Sequence, residues 1–120
     1  MKLAVSASGP SLDAPFDQRF GRCAHFVIVD PDTLEWSTVP NEGAANTGGA
    51  GIKAAELVAR QGVQAVLTGS VGPNAHQVLA SAQIKSYVTT ANTVKSAIEA
   101  FNMGQARLVE QPTSPARHGH

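Results

Sequence analysis

The clearest candidates for ligand binding in this sequence are glycines that precede a predicted helix, because their backbone N–H groups are accessible. The run Gly48-Gly49-Ala50-Gly51 leads directly into an amphipathic stretch that begins near Ile52. Such a loop leaves backbone N–H groups unpaired at a helix N-terminus, where the aligned peptide dipoles also favour negative charge. The spacing is neither that of the Walker motif nor that of the dinucleotide fingerprint. The stretch therefore predicts an anion site without identifying the anion.

A second glycine-bearing loop has the same relation to a helix. Gly69 and Gly72 follow a short apolar run, and Pro73-Asn74 then opens the next predicted helix. Proline is favoured at the first helical position because its missing N–H has no partner there in any case. The second loop therefore predicts another helix N-terminus with donors available to a ligand.

Arginine and phenylalanine are concentrated in a third loop, residues 11–22. Arg19 and Arg22 lie on either side of Phe20-Gly21. These cations either pair with Asp13 and Asp17 on the surface or stand beside an apolar wall and contact a ligand. The local pattern leaves both readings open.

Three further side chains are candidates for contact with a ligand or a metal. Lys53 and His76 fall in the first turns of the two helices, and each is either a solvated helix residue or a group that faces the guest of its glycine loop. Cys23, the single cysteine, lies two residues from His25 on a predicted strand. It is a packed thiol, a metal ligand or, with His25, a catalytic pair, although no Asn or Asp is obviously placed to orient the imidazole.

The elements that must position these residues follow from hydrophobic pattern and turn signals. Strands are predicted over residues 2–7, 23–30, 33–39, 63–68 and 84–88, and helices over 51–61, 73–83 and 93–103. This order predicts an α/β fold with a mixed five-stranded sheet, antiparallel at its hairpin, and with helices on both faces. Ligands of such sheets gather at the carboxyl ends of the strands, so the loops 8–22, 41–51 and 69–73 should converge on one edge.

Composition limits the classes of function. The 120 residues carry nine basic and nine acidic side chains, so there is no overall charge to attract nucleic acid or an anionic membrane. No signal peptide or apolar run of about 20 residues is present, which predicts a cytoplasmic protein. We expect a single domain over residues 1–109 and a flexible C-terminal tail over 110–120, because the tail lacks apolar residues to bury.

Taken in order, several motifs resemble the dinitrogenase iron–molybdenum cofactor biosynthesis family, which includes NifX and the C-terminal domain of NifB. The motifs are Phe20-Gly21-Arg22 before a strand, the run from Gly48 to Ala55, the run from Leu67 to Ala75, and Thr93-Val94 at a helix start. The resemblance extends to about Gly104 and is strongest to a branch, found in sulfate-reducing bacteria, that holds a molybdenum–copper sulfide cluster without covalent attachment. It implies an RNase H-like three-layer fold and a non-enzymatic role as carrier or scaffold of an anionic metal–sulfur cluster.

The resemblance also implies a site and a cargo. The cargo would be a molybdenum–copper sulfide cluster or, alternatively, a precursor of the iron–molybdenum cofactor, exchanged with donor and acceptor proteins by a monomer or weak dimer. Cys23 and His76 are the candidates for direct metal ligation, and NifX-like proteins vary in which residues do this. The expected cluster-binding residues are Arg19, Phe20, Arg22, Gly48, Gly49, Gly51, Lys53, Gly69, Gly72, Asn74 and His76.

Two other classes of function remain open from the residues. The glycine loops could bind a small phosphorylated or nucleotide substrate of an enzyme, although the carboxylate cluster of a two-metal nuclease is missing. Alternatively, the predicted hairpin over residues 30–39 could present an edge strand to a protein partner or to a second copy of the chain.

Overall fold

Six strands form one sheet, and three helices cover it, in the part of the chain that the computed structural model describes, residues 1–45 and 48–111. The strands are β1 (Leu3–Ala7), β2 (His25–Val29), β3 (Trp36–Pro40), β4 (Ala65–Thr68), β5 (Lys85–Val88) and β6 (Arg107–Val109). The helices are α1 (Ala50–Arg60), α2 (Pro73–Ser81) and α3 (Val94–Asn102).

The strand order is β3-β2-β1-β4-β5-β6. β1 is parallel to β4 and β4 to β5, whereas β2, β3 and β6 run antiparallel to their neighbours. The sheet thus has one strand more than the five predicted. β6 has only three residues, and Arg107 and Leu108 are exposed, so it lacks the apolar run by which a strand is recognised in a sequence.

Two cores separate the sheet from the helices. Alternate residues of the strands, such as Ala4, Phe26 and Val66, face α1 and α2. The intervening residues, such as Val5 and Leu67, face α3. Because both faces of the sheet are covered, every residue of β1 is buried. The result is the three-layer, RNase H-like α/β fold that the family resemblance implies.

The topology brings the loops after β1 and β4 to one edge. These two parallel neighbours form the switch point of the sheet, where the chain leaves in different directions and a crevice opens beyond the carboxyl ends of the strands. The loop after β1 is held there by an isolated bridge between Arg19 and Ser70, which follows β4.

Two sequence predictions reach outside the described residues. Asn46 and Thr47, which precede the first glycine loop, are outside them, and so are residues 112–120 of the predicted tail. Within the described residues, no helix is both long and apolar enough to cross a membrane.

Candidate functional site

Three segments of the chain line a single cavity of about 330 Å³ beyond β1 and β4. One segment comes from the loop after β1, one from the start of α1 and one from the loop after β4 with the start of α2. The predicted convergence of the three loops is thereby confirmed. The lining residues are Arg19, Phe20, Gly21, Arg22, Gly49, Ala50, Gly51, Ile52, Ser70, Gly72, Pro73, Asn74 and Ala75.

Two helix N-termini point into this cavity without a capping side chain. The N-cap of α1 is Gly49, whose φ of 76° lies in the left-handed region that favours glycine, and the N-cap of α2 is Gly72. Neither helix has a side-chain cap or an acidic residue in its first turn. Since the first N–H groups of a helix have no intrahelical acceptor, both helices offer donors and positive dipole ends to the cavity.

The cavity wall depends on a close approach of Gly21 to α1. A Cβ atom on Gly21 would lie 2.9 Å from the backbone nitrogen of Gly51 and 3.0 Å from its Cα. Gly51 in turn lies against α2, where its own Cβ would come 3.3 Å from Ala75 Cβ. Only small residues allow the loop and the two helix starts to meet around one cavity.

Arg19 reaches the cavity as a member of an ion pair. Its Nη2 lies 3.0 Å from Asp17 Oδ2, its Nε lies 3.1 Å from Asp17 Oδ1, and its backbone N–H donates to Oδ1 at 2.9 Å. Burial raises the pKa of the Asp17 carboxyl, but the hydrogen bonds and charge of Arg19 outweigh that effect and hold this pKa below its ordinary value. Arg19 is therefore both fixed in direction and partly neutralised.

Arg22 is oriented by the backbone of the loop before α1. Its Nη1 donates to the carbonyl oxygen of Ala44 at 2.8 Å. This bond helps to orient the guanidinium. Beside it, Phe20 is buried and packs against Phe26, with ring centroids 5.3 Å apart, and forms the apolar part of the wall.

Buried polar contacts tie the loop after β1 to β4. Ser6 Oγ donates to the carbonyl oxygen of Asp17 and lies 2.7 Å from Thr68 Oγ1. The N–H of Gly69 donates to the carbonyl oxygen of Gln18 at 3.2 Å. A Cβ on Gly69 would lie 2.7 Å from Gln18 Cα, so this glycine supports the wall from behind and does not line the cavity.

The structure does not bring two of the predicted ligand contacts, Lys53 and His76, to this cavity. Lys53 lies on the side of α1 against Gly43 and lines a separate cleft. His76 lines an open groove between α2 and β6. Lys53 and His76 are each the fourth residue of their helices, and their side chains project from the side of the helix, whereas the first N–H groups point along the helix axis.

Cys23, the other predicted metal ligand, does not line the cavity either. It is fully buried, and its Sγ donates to the carbonyl oxygen of Phe20 at 3.4 Å. Burial raises the pKa of this thiol to about 12, so the thiolate that binds metals is disfavoured. Among the described residues, no three His, Cys, Asp or Glu side chains are grouped so that they could hold a metal ion.

Seven of the predicted site residues line the cavity: Arg19, Phe20, Arg22, Gly49, Gly51, Gly72 and Asn74. Gly48 is exposed and does not line it. Sequence reasoning offered Asp17 as a surface partner of the arginines, and the structure pairs it with Arg19. It missed Asn41, which orients the loops from behind, because nothing near Asn41 in the sequence indicates its partners.

The fold and the cavity define a three-layer α/β protein with two helix N-termini at one site, and sequence comparison identifies its family. The chain belongs to the dinitrogenase iron–molybdenum cofactor family, whose model matches residues 1–104.

Individual relatives cover almost the whole chain. The apo form of the orange protein from Desulfovibrio gigas is 41% identical, with a TM-score of 0.89 over 94% of this chain and 96% of that one. A Thermotoga protein classed with NifB is 30% identical, with a TM-score of 0.80 over 98% of both chains. An uncharacterized protein of Methanocaldococcus jannaschii is 29% identical over 92% of each chain.

Proposed function

We propose that the protein binds and carries an anionic metal–sulfur cluster, without covalent attachment, in the cavity between α1 and α2. The observation that carries the proposal is the meeting of two uncapped helix N-termini around one cavity of about 330 Å³, with two arginines at its wall. Backbone N–H groups at helix starts bind anions of many kinds. The family to which the chain belongs supports a cofactor cluster as the guest.

The chemistry of the wall matches a guest that is negatively charged and soft. N–H groups of the first turns, from Ala50 to Ile52 and at Asn74 and Ala75, would donate to terminal sulfides. The guanidinium of Arg22 would add charge. Phe20 and the small apolar side chains at the helix starts would contact the polarisable sulfur surface, which a phosphate does not present.

Retention by charge and hydrogen bonds suits a carrier. Cys23 is buried beneath Phe20 and protonated at neutral pH, so a cluster in the cavity would keep its own ligands. A cargo held in this way can be released intact to an acceptor protein. We therefore favour binding and delivery over catalysis, by a monomer or weak dimer that exchanges its cluster with donor and acceptor proteins.

Of the two candidate cargoes, we favour the molybdenum–copper sulfide cluster. The sequence resembles the branch of the family that holds it, and the orange protein of Desulfovibrio gigas is 41% identical over 94% of this chain. A precursor of the iron–molybdenum cofactor is the alternative, because it shares the same anionic, sulfide-covered chemistry and the family name refers to it.

Reconstitution tests the proposal. Apo protein is mixed with thiomolybdate and copper and then desalted, and its visible absorption and metal content are measured. We expect a charge-transfer band that remains with the protein together with bound molybdenum and copper. A colourless protein without metal, whose melting temperature is instead raised by a nucleotide, would refute the cluster proposal and support a nucleotide-binding enzyme.

An isosteric charge change tests the site itself. Asn74, the second residue of α2, is exposed at the cavity, so Asn74→Asp adds one negative charge there without a change of shape. Helix stability should rise by about 0.3–1 kcal/mol, because an acidic group near an N-terminus is favourable. Cluster affinity should nevertheless fall, by about tenfold for a partly desolvated repulsion of about 1.4 kcal/mol.

Gln77→Glu is the matched control for this variant. It places the same charge on an exposed position of the same helix, outside the cavity. We expect its cluster affinity to equal that of the unmodified protein. Equal losses in both variants would show that net charge, not the cavity, governs retention.

A further inference from the structure

We propose that Asn41 is a positioning residue that holds two walls of the cavity in place. The inference rests on the proposed function, since it concerns the site at which the cluster would bind. Asn41 does not line the cavity and would not touch the cluster. It lies directly after β3, where the chain turns towards α1.

The side-chain amide of Asn41 binds the loop that carries Phe20 and Arg22. Asn41 is only 6% exposed, and its Nδ2 donates to the carbonyl oxygens of Cys23 at 2.9 Å and of Gly21 at 3.2 Å. One amide group thus holds two carbonyls of the same short loop. The loop has no regular secondary structure around Gly21. The bonds from Asn41 therefore take the place of the backbone hydrogen bonds that hold a strand or helix in position.

The backbone of Asn41 fixes the second wall. Its N–H donates to the carbonyl oxygen of Ala24 at 2.9 Å, and its own carbonyl oxygen accepts from the N–H of Ala44 at 3.1 Å. Ala44 in turn accepts the hydrogen bond of Arg22 Nη1. Asn41 therefore connects the loop at Gly21 with Ala44, whose carbonyl oxygen orients Arg22.

Both links bear on the geometry of the cavity. Gly21 approaches α1 so closely that a Cβ atom would lie 2.9 Å from the nitrogen of Gly51, so a small shift of the loop changes the space at the helix start. A shift of Ala44 redirects the guanidinium of Arg22. Without Asn41, both the shape of the wall and the position of its positive charge would vary.

The structural role of the Asn41 side chain comes from the N–H donors of its amide group and not from its amide oxygen. Asn41 Oδ1 is buried and has no hydrogen-bond partner among the described residues. A buried acceptor without a donor is unfavourable, so an amide at this position carries a cost that its donated bonds must offset, two to carbonyl oxygens and a longer one to Cys23 Sγ. An aspartate here would set a carboxylate oxygen against two carbonyl oxygens.

The protein contains a reporter of this loop, because Cys23 is its single cysteine. The thiol is fully buried, and the backbone of the same residue accepts a bond from Asn41. In apo Asn41→Ala, we expect the rate of thiol labelling by a disulfide reagent to rise at least about tenfold, since two hydrogen bonds no longer hold the loop closed. In the reconstituted protein, we expect the cluster to dissociate at least about tenfold faster.

A variant of matched stability separates positioning from general destabilisation. Ile98 belongs to α3 and is buried against the opposite face of the sheet, so Ile98→Val or Ile98→Ala lowers stability without touching the cavity. The substitution whose unfolding midpoint in urea matches that of Asn41→Ala serves as the control. We expect it to retain the cluster and to protect Cys23 as the unmodified protein does.

The outcomes separate the two proposals. If the unmodified protein retains the cluster, and Asn41→Ala retains it equally with Cys23 equally protected, the role of Asn41 is overturned and the proposed function stands. If the unmodified protein retains no cluster, the proposed function fails, whereas faster labelling of Asn41→Ala would still support its hold on the loop.

One measurement on the unmodified protein covers the case in which Asn41→Ala does not fold. The side-chain amide protons of Asn41 should exchange with solvent slowly in an NMR experiment, because they are buried and bound to two carbonyls. Exchange as fast as that of exposed Asn74 would overturn the inference.

Discussion

Two regions of the molecule beside α1 carry a pair of cations, and they differ in size and in the direction of the backbone around them. The cavity has Arg19 and Arg22, and encloses about 330 Å³. The Lys53 cleft, lined by Asn41, Glu42, Gly43, Lys53, Leu57 and Arg60, encloses about 50 Å³. Both regions have two basic side chains that are evident from the sequence. Positive charge alone therefore does not show which region binds an anion.

The difference between them is the direction of the backbone. The cavity lies at the ends of two helices, where N–H groups and dipoles face its interior. The Lys53 cleft lies along the side of α1, where the N–H groups are used within the helix, and Glu42 offsets part of its charge. Basic side chains near a glycine loop are therefore informative only when the helix end itself is open.

Closing the cavity should have the largest effect on cluster binding. Gly21→Ala places a Cβ atom 2.9 Å from the backbone nitrogen of Gly51, and backbone at a helix start cannot give way as a flexible side chain can. We expect loss of cluster retention and a stability loss of about 1–3 kcal/mol, as for other overpacked sites. Reconstitution followed by desalting, with urea unfolding, measures both.

Gly48→Ala is the control for that substitution. A Cβ on Gly48 meets no described residue within 4 Å, and Gly48 does not line the cavity. This variant should retain the cluster and its stability. If Gly21→Ala retained the cluster as well as Gly48→Ala does, the close approach of the loop would not shape the binding site.

A smaller effect should follow from removing one cation from each region. Arg22→Ala removes a charge that lines the cavity, whereas Lys53→Ala removes the same charge from the cleft. We expect a roughly tenfold weaker affinity for the cluster in the first variant, which matches the loss of one charge-assisted hydrogen bond. Lys53→Ala should bind as the unmodified protein does, and an equal loss in both variants would contradict the distinction between the two regions.

The smallest effect concerns the ion pair that orients Arg19. Because the folded protein holds the pKa of Asp17 below its ordinary value, the pair adds stability above about pH 4 that is lost as pH falls through the folded pKa. The urea midpoint of the unmodified protein should therefore fall more steeply below about pH 4 than that of Asp17→Asn. Identical slopes would mean that the pair does not stabilise the fold.

Much of the fold could be predicted because its signals are local. Gly62 after α1, Pro73 at the start of α2 and Thr93 before α3 punctuate the helices, and the structure confirms all three boundaries to within about two residues. β6 could not be predicted in the same way. Its three residues are held by pairing with β5, a contact between distant parts of the chain.

The sequence predicts where the backbone of the candidate site lies, but it predicts the directions of the side chains less well. Glycine runs before helices locate the N-termini, and strand order brings those ends together. The direction of Lys53 depends on Gly43, and the burial of Cys23 depends on Phe20 and Asn41. Such contacts form only when the loops meet, so no spacing in the sequence reveals them.

Amide NMR shows whether helix-start N–H groups hold the cluster. Labelled apo protein is titrated with the thiomolybdate–copper mixture, and backbone shifts are followed residue by residue. We expect the largest shifts at Ala50, Gly51, Ile52, Asn74 and Ala75, with little change at Glu42, Lys53 and Arg60. The largest shifts at the Lys53 cleft, or a bound cluster that leaves both helix starts unshifted, would contradict it.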